Sequence, residues 1–213
     1  MAAYQFDHTK FKSVPVVGII RGMDASDFEM ILKSFLSAGH GTLEITLNTN
    51  GAGDLIRKAN DFFQGRVNVG AGTVRSLADL DRALDFGASF IVTPVLNLAV
   101  IRRCVELKIP VFPGAFTPTE ISEAFDAGAT MVKIFPASSV GPDYIKNVKA
   151  PMPEIKLMPT GGVSLENIQA YKSAGADAYG MGTPLFRTDL ITQKNWVALE
   201  DHFRAVADAV RIN

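Results

Sequence analysis

Two residues of this chain sit where an ordinary core would exclude them. Lys133 interrupts the stretch "MVKIFPAS" (131–138), in which Met131, Val132, Ile134 and Phe135 are apolar and Pro136 ends the run. Glu44 interrupts "TLEIT" (42–46) in the same way. A buried ammonium or carboxylate is costly unless it is paired or loses its charge. One reading is a structural ion pair, although such pairs gain little over packed apolar residues. The other reading is chemical. A desolvated lysine loses its proton more easily, and its neutral amine can attack a carbonyl to form a Schiff base. A glutamate within reach could then move protons as the carbinolamine forms and collapses.

Other candidates lie at the ends of apolar runs. Arg21, in "GIIRGMD", can grip a carboxylate in a bidentate manner or form a salt bridge to Glu44. Gly161 and Gly162 in "PTGGVS", and Gly182 and Thr183 in "GMGTPLF", offer amides and a hydroxyl. Such turns can cradle a phosphate or be nothing more than tight turns. Thr73 in "GAGTV", Pro94 in "VTPVL" and Thr160 in "PTGG" are also at run ends, where each alone reads as turn chemistry. Ser164 is placed to cap a helix over "SLENIQAY". The histidines, His8, His40 and His202, share no metal-binding spacing with one another or with a cysteine. Carbonyl chemistry would therefore run on lysine, with no metal and no cofactor.

These residues need elements to aim them. Apolar runs bounded by Gly, Pro or Asn predict eight strands, at 14–20, 42–46, 67–72, 90–94, 109–114, 131–136, 155–162 and 178–182. Helical patterns lie between them. In the first, Phe28, Ile31, Leu32, Phe35 and Leu36 make one buried stripe. "TPTE" predicts a capping box, with Thr117 as N-cap, Pro118 at N1 and Glu120 at N3. Four helices end in a glycine, Gly39, Gly87, Gly128 or Gly175, that leads into strand two, four, six or eight. A two-βα unit recurring four times predicts an α/β fold, a single (β/α)8 TIM barrel spanning 1–213, with 1–13 as an N-terminal extension. The final helix begins at Trp196.

In such a barrel the active site is at the carboxyl ends of the strands. Strand side chains alternate faces. With Val132 and Ile134 turned to the helices, Lys133 shares the inner face with Met131 and Phe135. With Leu43 and Ile45 turned outward, Glu44 points in with Thr42 and Thr46. Strands two and six stand opposite, so the two side chains can meet directly or through one water. The loops after strands seven and eight are a common phosphate site in this architecture.

Bulk properties narrow the partners. The 213 residues carry 21 basic and 22 acidic side chains, a net charge of −1, and no basic run that would mark nucleic-acid binding. No apolar stretch is long enough to span a membrane, and no secretory h-region opens the sequence. A single cysteine, Cys104, permits no internal disulfide. The expected compartment is the cytoplasm.

The motifs "LEITLNT", "GAGTV", "IVTP", "FPGAFTPTE", "VKIFPAS", "VGPDYIKNVKAPMP", "PTGGV" and "MGTPLF" occur in this order over nearly the whole chain. Together they resemble the class I aldolases for 2-keto-3-deoxy-6-phosphogluconate and 4-hydroxy-2-oxoglutarate. The resemblance implies Lys133 as Schiff-base lysine and Glu44 as general acid/base. It implies that Thr73, Pro94, Phe135 and Thr160 line the pyruvyl part of the site, and that Gly161, Gly162, Gly182 and Thr183 hold the phosphate. It further implies a small phosphorylated 2-keto acid as substrate and a homotrimer. Several members have an arginine where this chain has Asn48, so carboxylate binding passes to Arg21. The "IIRG" and "LNT" segments also resemble aldolases for the galactonate analogue. Outside the aldolases, a phosphosugar isomerase or epimerase, or a non-catalytic phosphosugar-binding barrel, could use the same phosphate loops. Neither needs an imine.

Overall fold

The computed structural model describes residues 4–22 and 27–211; residues 1–3 of the expected N-terminal extension lie outside them. A short helix α1 (His8–Ser13) precedes β1 (Val16–Ile20). Strand and helix then alternate: α2 (Phe28–Ser37), β2 (Thr42–Thr46), α3 (Ala52–Phe63), β3 (Asn68–Gly72), α4 (Leu77–Asp85), β4 (Ile91–Val92) and α5 (Leu98–Glu106). The fifth strand is split into β5 (Val111–Phe112) and β6 (Gly114–Ala115), followed by α6 (Pro118–Asp126) and β7 (Val132–Ile134). The chain continues through α7 (Gly141–Lys149), β8 (Leu157–Pro159), α8 (Ile168–Ser173), β9 (Tyr179–Met181), α9 (Thr188–Thr192) and α10 (Trp196–Val210).

The strands form parallel sheets in the orders β5-β4-β3-β2-β1-β9 and β6-β7-β8. The split between β5 and β6 falls at Pro113, which has no N–H for the ladder. Its carbonyl still accepts from the Lys133 N–H at 2.8 Å. At the other junction, Thr160 and Gly180 form a parallel bridge, and the Asp177 N–H donates to the Leu157 carbonyl.

Side-chain alternation divides the core into an outer and an inner part. Leu43, Ile45, Val132 and Ile134 join the cluster beneath the helices. Val17, Ile19, Phe90, Val92, Phe112, Met131 and Met158 form a separate inner cluster. The N-terminal segment seals this inner layer. Phe6 packs edge-on to Phe90 at 5.5 Å, Phe11 stacks on Phe112 at 5.7 Å, and Asn68 bridges the Asp7 backbone to Thr42. Lys133 and Glu44 thus share the inner face with an apolar cluster, which lowers the dielectric around them.

The expected helix ends are present. Gly39, Gly87, Gly128 and Gly175 have φ between +85° and +95°. At each, paired backbone bonds close a Schellman motif, such as Gly39 N–H to Leu36 O and His40 N–H to Phe35 O. Thr117, Pro118 and Glu120 form the capping box. One start differs from expectation. Regular helix α8 begins at Ile168, although the Ser164 carbonyl already accepts from the Ile168 N–H at 2.9 Å and the Asn167 side chain accepts from the Ser164 N–H and donates to the Gly162 carbonyl.

Candidate active site

Lys133 occupies the middle of β7, level with Gly114 of β6 and Met158 of β8. It is 3% exposed, and Glu44 of β2 is 0% exposed. The Lys133 Nζ lies 5.0 Å from the centroid of the Phe135 ring, on the same inner face two residues further along. Neither Glu44 carboxylate oxygen has a hydrogen-bond partner among the described residues. A direct hydrogen-bonded ion pair to Lys133, or one to Arg21, is therefore not formed. Two buried ionisable groups that couple electrostatically without hydrogen-bonding to each other are a poor stabilising device, and such groups concentrate at functional sites.

Their electrostatics follow from burial. Desolvation raises the Glu44 pKa above the usual carboxylate range, against the opposing pull of the Lys133 and Arg21 charges. Desolvation likewise lowers the Lys133 pKa, opposed by Glu44 and assisted by Arg21. Each group is pushed towards its neutral form, an amine beside a carboxylic acid.

Glycines make the room. A Cβ on Gly72 would collide with the Glu44 carboxylate, one on Gly114 with the Pro94 carbonyl, and one on Gly180 with the Thr160 hydroxyl. Of the "GAGTV" glycines, Gly72 thus makes room for Glu44 and Gly70 for the Phe90 ring, and the backbone continues into Thr73, a non-glycine residue with φ +59°.

Above the pair opens a cavity of about 640 Å³. Seven residues expected in the site line it: Arg21, Phe135, Thr160, Gly161, Gly162, Gly182 and Thr183. Gly161 and Gly162 both have positive φ, +86° and +85°, so the chain can turn sharply at the cavity edge. Lys133 and Glu44 do not line this space, and Phe135 is the link between lysine and cavity. Thr73 and Pro94 do not line it either. They stand beside the pair, Thr73 next to Gly72 and Pro94 against Gly114. Asn48 is exposed.

Among the described residues, no group of three or more His, Cys, Asp or Glu side chains could hold a metal ion. None of the described helices is long and apolar enough to cross a membrane.

The sequence matches the family model for KDPG and KHG aldolase over residues 8–202. The chain belongs to the KDPG and KHG aldolase family. It is a lyase of the aldolase type. It is 33% identical to the 2-dehydro-3-deoxy-6-phosphogalactonate aldolase of Escherichia coli K12, over 93% of this chain and 97% of that one. It is 32% identical to a 2-dehydro-3-deoxy-phosphogluconate aldolase of Haemophilus influenzae, over 95% of both. Among solved structures, a Legionella pneumophila KDPG aldolase with pyruvate captured as a covalent carbinolamine superposes with a TM-score of 0.85 at 25% identity, covering 93% of this chain and 96% of that one.

The structure of this aldolase adds residues that sequence reasoning did not find. Asp27, Thr188, Ile191 and Thr192 line the far wall of the cavity. Asp27 reaches Lys194 at 3.6 Å. Helix α9 supplies three of the four. It is only five residues long, too short to carry a periodic signal.

Proposed function

We propose that this aldolase cleaves a phosphorylated 2-keto-3-deoxy sugar acid through an imine on Lys133. The observation that carries the proposal is a buried lysine and a buried, unpartnered glutamate beneath a cavity edged by two glycine turns. The neutral Lys133 amine attacks the C2 ketone. The carbinolamine hydroxyl takes the proton of the neutral Glu44 carboxyl and leaves as water, giving a protonated imine, which acts as electron sink, and leaving Glu44 as the carboxylate. Glu44, as carboxylate and through a bridging water, takes the proton of the C4 hydroxyl. The C3–C4 bond breaks, its electron pair passes into the imine to form an enamine, and glyceraldehyde 3-phosphate leaves. Protonation at C3 and hydrolysis of the imine release pyruvate and restore Lys133.

Arg21 holds the substrate carboxylate, and the Gly161, Gly162, Gly182 and Thr183 turns hold the phosphate. Phe135 and Thr160 wall the pyruvyl portion. Thr73 and Pro94 support it from the side, Thr73 following Gly72, which admits Glu44, and Pro94 packed on Gly114, the β6 partner of Lys133. The same site could release pyruvate and glyoxylate from 4-hydroxy-2-oxoglutarate. The scaffold we infer is one closed (β/α)8 barrel over 1–213, supported by the bonds that flank Pro113 and by the Thr160–Gly180 bridge. The working assembly is a cytoplasmic homotrimer.

The galactonate analogue is the second reading. Asn48 in place of the arginine of several members, together with the resemblance to the E. coli galactonate enzyme, favours it. A substrate panel decides: pyruvate release is measured for the phosphogluconate, phosphogalactonate and hydroxy-oxoglutarate substrates, and kcat/KM ratios rank them. Release from none of the three would overturn the proposal.

A further inference from the structure

The backbone that carries Arg21 is tied to the loop after β2 by a chain of hydrogen bonds whose direction is fixed. The Gly22 N–H donates to Thr49 Oγ1 at 3.1 Å. Thr49 Oγ1 lies 3.0 Å from Thr46 Oγ1. Thr46 Oγ1 donates to the Ile20 carbonyl at 3.3 Å. An amide N–H can only donate, a carbonyl can only accept, and a hydroxyl has one proton. Thr46 uses its proton on Ile20, so the bond between the hydroxyls must be donated by Thr49. The chain runs one way, Gly22 to Thr49 to Thr46 to Ile20, and its two ends are the peptide groups on either side of Arg21.

Both threonines are buried, Thr46 at 0% and Thr49 at 5% exposure. Thr49 is itself pinned, since its N–H donates to Thr46 O and its carbonyl accepts from the Ala52 N–H. Bonds in such a chain polarise one another in a low dielectric. Arg21, by contrast, has an exposed side chain that reaches the cavity. A long side chain held only by its own rotamers would lose much entropy on gripping a ligand. Fixing both flanking peptides removes the backbone share of that loss and sets the direction in which the side chain leaves the chain.

We propose that Thr46 and Thr49 are positioning residues that aim Arg21 at the substrate carboxylate without touching substrate. This rests on the imine reading given under Proposed function. A carboxylate grip acts equally in the ground and transition states, so its loss raises the half-saturating concentration and spares turnover.

The test uses the full chain, with borohydride reduction at a series of pyruvate concentrations and mass spectrometry of Lys133. Thr49→Val and Thr46→Val should each raise half-saturating pyruvate about tenfold, the scale of one hydrogen bond. Maximal labelling should be retained. Thr49→Ser, which keeps the hydroxyl, should restore the wild-type concentration. In an Arg21→Ala background, Thr49→Val should add nothing, a coupling that a merely structural role would not produce. Unchanged half-saturation in both valine variants, or an equal further loss without Arg21, overturns the proposal. A wild-type enzyme that takes no pyruvate label overturns the imine reading instead, so the two failures are distinct.

Discussion

Gly72 and Glu44 occupy adjoining strands so closely that a Cβ on Gly72 would overlap the Glu44 carboxylate. The register places Gly72 opposite Thr46, two residues beyond Glu44. Glu44 therefore bends towards the carboxyl end of the strands, where the site is, because β3 offers no side chain to stop it. Gly72→Ala should force Glu44 out of place. Overpacking of this kind costs about 1–3 kcal/mol of stability, and displacement of a catalytic group should lower kcat about a hundredfold. A retro-aldol assay beside a thermal melt checks both. Full activity in the alanine variant would show that the position of Glu44 is not critical.

Glu44→Gln separates function from stability. As an acid/base, Glu44 should contribute about 10²–10⁴ to kcat, and the glutamine variant should lose it. Stability should move the other way. A carboxyl whose folded pKa is raised lowers stability above its ordinary pKa, because the unfolded chain ionises more readily. At neutral pH the glutamine variant should be at least as stable as the wild type in denaturant unfolding. A marked loss of stability would point to a structural role for the charge.

How much of this was legible in the sequence can be judged residue by residue. Period-two alternation aimed Lys133 and Glu44 inward, because a strand allows only two faces and the outer face was already committed to apolar packing. The four glycine stops and the Thr117 capping box are local signals that need no tertiary context. The break at Pro113 was visible as a residue but not as a split strand, since its effect depends on which neighbour needs the missing donor. The start of α8 lies beyond Ser164 because residues 165–167 form turns, held by the Ser164 carbonyl and the Asn167 side chain, before the regular helix begins. Asp27, before α2, and Thr188, Ile191 and Thr192, on the short helix α9, meet only through long-range folding, and no spacing announces them. The space around the Glu44 oxygens likewise depends on glycines of another strand.

His40 offers a test of the fold that leaves the site aside. It is buried, its Nε2 lies 2.8 Å from the Phe203 carbonyl, and its Nδ1 has no partner among the described residues. Desolvation lowers its pKa from 6.5 to about 4. Between these values the unfolded chain binds the proton and the folded one does not. Stability from His40 is complete above about pH 6.5 and is lost progressively as pH falls to about 4, by roughly 3 kcal/mol in total. His40→Gln should flatten that part of the denaturant-derived stability profile. An unchanged slope would remove His40 as its source.

The phosphate turns should act on one substrate end only. A Cβ on Gly162 would lie 2.7 Å from Ser138 Cβ, and the residue has φ +85°. Gly162→Ala should therefore shift the turn and raise KM for the phosphorylated substrate by about tenfold or more. The pyruvate concentration that half-saturates Lys133 should not change. Equal effects on both would mean that the turn supports the whole site and not the phosphate end.

Covalent capture decides whether Lys133 forms the imine. Enzyme reduced with borohydride in the presence of pyruvate should gain one pyruvyl-derived mass on the peptide containing Lys133. The rate of labelling should rise with pH and level off below 10.5, the ordinary lysine value, because burial lowers the Lys133 pKa. Label on a different lysine, no label at all, or full retro-aldol activity in Lys133→Ala would contradict the account.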